Sequence, residues 1–279
     1  MAMTINTNMA SLIAQRNLSK NTSTLTRSVE RLSSGIRINR AADDAAGLAI
    51  STTLKAQIRS INQAVRNAND AVSMMQTAES GMTEMANILL RMRELAEQAA
   101  NESLGSTERL YLNDEYLALK SEISRIADVT EFAGMKLLDG TISAGVSFQV
   151  GYKNTANDRL SFTVNDSDAA ALGLDTAGAT SISSAGLAQS VLTLIDASAI
   201  ALLSERRGDI GALQNRLEYT ISNLQAVSEN FSAANSRIED LDFAVETSIY
   251  VRSQILLQAG GTVLAQANML PQQVLQLLG

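Results

Sequence analysis

Two groups of acidic side chains stand close enough in sequence to suggest acid–base or metal chemistry: the pair Asp43 and Asp44, and the cluster Glu239, Asp240 and Asp242. Asp43 and Asp44 precede a long apolar-periodic stretch, where carboxylates complement the helix dipole and accept from the orphan amides of a first turn. Capping is therefore their expected work. Residues one or two apart on a helix do not face each other, so the second cluster cannot converge on a cation, and a solvated or inter-subunit charged face is expected there. The 279 residues contain no His and no Cys, which removes an imidazole base, a thiolate nucleophile and a zinc site of the usual nitrogen and sulfur type. No enzyme, no cofactor and no metal is expected.

Net charge is −7 with a pI near 4.8, and the basic residues are scattered, so neither nucleic acid nor an anionic membrane is an expected partner. The start MAMTINTNMA lacks a basic segment followed by an apolar run, and no later stretch approaches the roughly 20 apolar residues of a membrane span. Without Cys, the chain could pass between reducing and oxidising compartments with no redox step. Hydrophobic residues make up 46% but aromatics only 4%, so the apolar mass is Ala, Leu, Ile, Val and Met, the residues of helix seams.

The elements that carry these residues follow from period. Ile58, Ile61, Val65, Ala68, Val72, Met75, Glu79, Met82, Ala86 and Leu89 alternate by three and four, with Met85, Ile88, Met92, Leu95 and Ala99 in a second stripe beside them. The spacing predicts one helix from near Asp44 to Ala100, roughly 80 Å at about 1.5 Å per residue. Glu79, at a seam position, either sets register or faces solvent. After a break at Ser103 to Ser106, Leu112, Tyr116, Leu119, Ile123, Ile126 and Thr130 predict a shorter helix folded back antiparallel. A further seam runs Ile210, Leu213, Leu217, Thr220, Leu224, Val227, Phe231, Ala234, Ile238, Leu241 and Val245. Between the helices, Phe148, Val150, Tyr152 and Leu160, Phe162, Val164 alternate with period two about a polar loop and predict a β-hairpin. Residues 166–188, rich in Ala, Ser, Thr, Gly and Asp, read as a surface loop. The expected fold is mainly α, an elongated antiparallel helical bundle or coiled coil made by pairing N- and C-terminal helices, with a small β-hairpin region.

The ends differ from the middle. Residues 1–44 carry sparse anchors such as Ile5, Met9 and Leu12 among Asn, Ser and Thr; residues 255–279 are apolar, with Leu256, Leu264, Leu275 and Leu278 among Gln, Gly and Asn. Pro271 suits the first turn of a last short helix. Gly260 and Gly261 suggest close subunit packing or a flex between assembled states, or else a local break. An apolar tail without a core of its own needs a partner, so both ends are expected to be loosely ordered alone and to become helical on assembly. A patch that binds a different patch on the next copy builds an open helical array.

ERLSSGIRINRAADDAAGLAI (30–50) closely resembles the N-terminal signature of bacterial flagellins. The likeness continues in LLRMRELAEQAAN (89–101), FAGMKLLDG (132–140), FQVG (148–151), NSRIEDLDFAVE (235–246) and ILLQAGGTVLAQANMLPQQVLQLL (255–278), so it spans nearly the whole chain. The resemblance implies a structural subunit that polymerises through its terminal helices into the flagellar filament for swimming. Residues 1–44 and 236–279 would form the filament core, 45–165 with its hairpin and 189–235 the surrounding helical rod, and 166–188 would replace a variable outer domain. It further implies extracellular location after export through the flagellar type III apparatus, an export chaperone on the tail, cap and hook-junction proteins as neighbours, and a host Toll-like receptor contact at Arg91, Leu95 and Glu115. Two other readings stand beside it: the hook-filament junction protein of the same superfamily, and a secreted coiled-coil effector. A zinc protease inserted in a flagellin would need two His, which are absent.

Overall fold

The computed structural model describes residues 7–176 and 180–278, with side chains described as far as 269. The described chain is mainly α: α1 (Met9–Ser34), α2 (Ala45–Ala99), α3 (Ser106–Val129), α4 (Ala185–Leu194), α5 (Ile200–Glu239) and α6 (Phe243–Leu278). Two small antiparallel pairs interrupt it, β1 (Glu131–Phe132) with β2 (Met135–Lys136) and β3 (Val146–Gln149) with β4 (Arg159–Phe162). The backbone forms two compact units, Met1–Ile58 with Glu229–Gly279, and Arg59–Ser228.

Local chemistry sets the boundaries. Asn8 accepts from the Ser11 amide at 3.0 Å at the start of α1, and Gly35, at φ +71°, ends it in the left-handed conformation with its amide on the Arg31 carbonyl at 2.8 Å. Asp44 Oδ1 accepts from the Gly47 amide at 2.8 Å and starts α2, as expected of that carboxylate. The neighbouring Asp43 accepts from the amides of Arg40 and Asn39 at 3.1 and 3.3 Å and closes the preceding turn. Helix α2 spans the residues its periodicity predicts.

In the Arg59–Ser228 unit, the buried seam of α2 is Ile61, Ala64, Ala68, Ala71, Met75, Ala78, Met82, Met85, Leu89, Met92, Ala96 and Ala99, an unbroken alternation of three and four. One predicted column, Ile61 to Leu89, is buried. In that same first stripe Val65, Val72, Glu79 and Ala86 are only half-buried and the Ala and Met residues one position earlier lie inside, while Met85, Met92, Leu95 and Ala99 of the second stripe are buried. Small Ala columns admit close helix approach, and bulkier Val flanks the contact. Glu79 accepts from Gln214 Nε2 at 3.1 Å at the seam's flank. Helix α3 returns antiparallel, with Arg109 donating to the Ala99 carbonyl at 3.0 Å and Tyr116, Ile123 and Ala127 buried.

The predicted hairpin is present in shorter form, pairing Val146 with Phe162 and Phe148 with Leu160. Ala133 and Gly134, at φ +51° and +80°, make the two-residue turn of a second hairpin that no alternation announced. Residues 166–176 and 180–188 are not a surface loop. Ser167, Ala169, Leu172, Leu174, Ile182 and Ala188 are buried in the same core, and Asn113 Oδ1 holds the Ile182 amide at 2.9 Å and the Ser181 hydroxyl at 2.8 Å. The sequence there is low in bulk because its few Leu and Ile residues fill gaps between helices.

A π-helical turn, Ile195–Ala199, joins α4 to α5. The helical run Ala185–Glu239 holds an 18-residue window apolar enough by composition to cross a bilayer, more than the sequence reading allowed. Its Ala188, Val191, Ile195, Ala199 and Leu203 are core residues of this unit. Farther along, Ile210, Leu213, Leu217 and Leu224 are buried as predicted, but the seam does not continue to Val245: α5 stops at Glu239, and Val245 is exposed on α6.

Candidate assembly surface

In the unit of residues 1–58 and 229–279, α1 and α6 pack against each other, so the described parts of both chain ends are helical within a single copy, contrary to the loosely ordered ends expected. Each supplies the other with the partner that helices of mediocre propensity need. On α1 the inward positions Ser11, Ala14, Leu18, Asn21, Leu25, Ser28 and Leu32 follow a three-four alternation; on α6 they are Glu246, Tyr250, Ser253, Leu257, Gly260, Leu264 and Ala267. Glu246, Ser253, Gly260 and Ala267 recur every seven residues. Small and polar residues thus alternate with Leu in the contact, with Asn8 Nδ2 donating to the Ala267 carbonyl at 2.8 Å and the Ser11 hydroxyl bonded to Asn268 Oδ1 at 2.7 Å. Gly260 and Gly261 sit inside continuous helix, so no break occurs. A Cβ on Gly260 would meet Leu18 Cδ1 at 3.0 Å, whereas one on Gly261 would meet open space.

Bulk points the other way. Met9, Leu12, Ile13 and Val29 on α1, and Phe243, Val245, Val251, Ile255, Leu256, Val263 and Met269 on α6, are each 45% exposed or more. Phe243, Val251, Ile255 and Leu256 line a shallow apolar groove along α6. Of the expected assembly residues, Met9, Leu12 and Leu256 are on this outward surface, and Leu264 is half-buried on the inward register. Ile5 and the side chains of Leu275, Leu278 and Pro271 lie outside the described residues.

The same unit closes on a buried carboxylate. Glu239, 5% exposed, accepts from the Ser51 hydroxyl at 2.7 Å, from Asn235 Nδ2 at 3.1 Å and from the Lys55 ammonium. Burial pushes this carboxyl up, but the hydrogen bonds from Lys55, Ser51 and Asn235 outweigh it and hold it below the ordinary glutamate value. Glu239 is therefore not part of a solvated charged face, as its neighbours in sequence suggested. Asp242 caps α6 through the amides of Ala244 and Val245 at 3.0 and 3.2 Å, and Asp240 bridges Ile36 through the backbone. Arg31 lies 3.6 Å from Asp43 and 3.8 Å from buried Glu246. Asn235, four residues before Glu239 on α5, is the one partner within local reach; nothing local in sequence marks Ser51, Lys55 or Arg31 as partners of these groups.

In the other unit, Arg91 and Glu115 meet on the surface, with nitrogen–oxygen distances of 2.9 and 3.1 Å, and Glu94 joins Arg91 at 3.0 Å. Both carboxylates hold the Arg91 guanidinium above its ordinary value. Leu95 does not join them. It is 1% exposed within the core.

Paired end helices that leave this many large apolar side chains in solvent have the surface of a self-assembling structural subunit. Residues 5–143 match the bacterial flagellin N-terminal helical region and residues 192–278 the bacterial flagellin C-terminal helical region. A flagellin of Halalkalibacterium halodurans is 47% identical over 276 residues, covering 99% of this chain and all of that one; a flagellin of Bacillus subtilis is 41% identical over 304 positions with the same coverage. Flagellin E of Vibrio cholerae is 37% identical over 378 aligned positions, well beyond the 279 residues here. The crystal structure of Bacillus cereus flagellin aligns with a TM-score of 0.50 and 32% identity over 61% of this chain and 94% of that one. The chain belongs to the bacterial flagellin family, in a short form, and is a structural subunit of the flagellar filament.

Proposed function

We propose that this subunit polymerises through the outward faces of α1 and α6, with residues 1–44 and 236–279 as the filament core, residues 45–165 and 189–235 as the surrounding rod, and residues 166–188 in the place of an outer domain. The observation that carries this reading is the inverted α1–α6 pair: Ser28, Ser253, Gly260 and Ala267 lie inside while Met9, Leu12, Ile255, Leu256 and Val263 face out. Large side chains left in water across two paired helices are stabilised when a neighbouring copy covers them, at about 25 cal/mol per Å² of apolar area removed. Family membership supports export through the flagellar type III apparatus to the cell exterior, with a chaperone covering the apolar tail and cap and hook-junction proteins at the ends of the filament. A contact with a host Toll-like receptor would use Arg91 and Glu115, the two residues of that set with exposed side chains.

Seeded growth tests the reading. Purified chain added to short filament fragments elongates them, while chains lacking residues 1–44 or 236–279 do not. A full chain that stays monomeric at every seed concentration overturns it.

A further inference from the structure

The chain has no Cys, no His and no Trp, so its ten methionines are its most readily oxidised side chains. Those among the described residues divide sharply by environment. Met74, Met75, Met82, Met85 and Met92 are 0–3% exposed in the core of the Arg59–Ser228 unit, whereas Met9 is 59% and Met269 57% exposed. Met9 and Met269 also lie together at one end of the α1–α6 pair, where their neighbours Asn8 and Asn268 bond to Ala267 and Ser11. Met135, 40% exposed beside the β1–β2 turn, belongs to the Arg59–Ser228 unit and not to the α1–α6 pair.

We infer that Met9 and Met269 form an oxidant-sensitive site that gates addition of new subunits, the co-reactant being a peroxide or hypohalous acid. This rests on the reading of α1 and α6 as assembly faces. Each thioether sulfur loses two electrons and gains the oxygen atom of hydrogen peroxide, the peroxide O–O bond breaks, and water leaves. The product is a methionine sulfoxide, which a sulfoxide reductase returns to the thioether by the opposite two-electron step. The apolar, flexible side chain becomes a polar one with a strong acceptor, and a neighbouring apolar surface offers that oxygen no donor. Oxidation therefore acts on the free subunit. Once a copy has been added, both sulfurs are covered.

The test uses the full chain and graded hydrogen peroxide, with peptide mass mapping and seeded elongation read together. Met9 and Met269 gain oxygen at doses that leave Met74, Met75, Met82, Met85 and Met92 unmodified, and elongation falls about tenfold or more, as expected for burying an unpaired polar group. Treatment with sulfoxide reductases for both epimers restores growth. In assembled filaments the same two residues resist the oxidant. The ratio of treated to untreated growth stays near one in M9L/M269L, whatever its untreated rate, and falls as in the native chain in M135L. Should the double variant not elongate at all, reductase reversal and the M135L control decide. Undiminished growth of chain oxidised at both sites, or an equal loss in M9L/M269L, overturns the inference. Failure of the untreated native chain to elongate seeds would instead overturn the assembly reading.

Discussion

The Ser51 hydroxyl donates to the Glu239 carboxylate at 2.7 Å across 188 positions of sequence, tying the first turns of α2 to the last residue of α5. Lys55 and Asn235 complete the coordination of that carboxylate. Replacing Glu239 by Ala removes three hydrogen bonds to a buried acceptor and lowers unfolding stability by roughly 1.5–3 kcal/mol, read from the urea midpoint at neutral pH. An unchanged midpoint would show that the carboxylate is dispensable.

The same carboxylate sets a pH dependence. Its folded-state pKa lies below the ordinary value, so its contribution is complete above the range in which an unfolded glutamate titrates, and is lost as the pH falls below about 4.3 toward the folded value. Urea midpoints from pH 7 down to pH 3 should fall more steeply for the native chain than for E239Q, which carries no titrating group there. Parallel curves would assign the acid response to other carboxylates.

Gly260 and Gly261 make a paired control within one helix. G261A adds a methyl to open space and gains up to about 1 kcal/mol of helix propensity, whereas at Gly260 that gain is offset by contact with Leu18 Cδ1. Thermal melts should show a rise in Tm for G261A and little or none for G260A, with G260V lower than either. Equal gains at both sites would mean that α1 does not approach α6 this closely.

On α2 the buried Ala column separates from the half-buried Val column. A71L forces about three extra carbon atoms into a filled seam and costs about 1–3 kcal/mol, while V72A trims a side chain at the flank and costs less. Denaturant unfolding of the two variants orders the columns, and the reverse order would restore Val72 to the seam.

Leu95 and Arg91 also predict opposite behaviour. L95A leaves a cavity in the core and costs about 2–5 kcal/mol, while R91A and E115A break a surface pair and leave the unfolding midpoint nearly unchanged. If L95A weakened a receptor interaction, the loss would have to be separated from unfolding by circular dichroism, whereas R91A and E115A report on the surface directly.

Composition and period alone determined much of this protein. The absence of His and Cys excluded thiol and imidazole chemistry, Asp44 marked the start of α2, and the alternation in Phe148 and Leu160 placed the hairpin, because each depends on residue type or on neighbours within a few positions. Motifs from residue 30 to residue 278 carried the family. Tertiary structure decided which face of each helix is inside. Periodicity shows that α2 has stripes, but Val72 and Ala71 score as rivals until a neighbouring helix selects the smaller. Likewise Ser253 and Gly260 look like the outside of α6 until α1 requires close approach, and that requirement sends Ile255 and Val263 into solvent. Glu239 read as a surface charge because its partners, Ser51 and Lys55, stand more than 180 residues away. Leu172 and Ile182 read as loop because their neighbours are small, although both are wholly buried. Burial is a property of the partner surface, and only folding brings that surface into place.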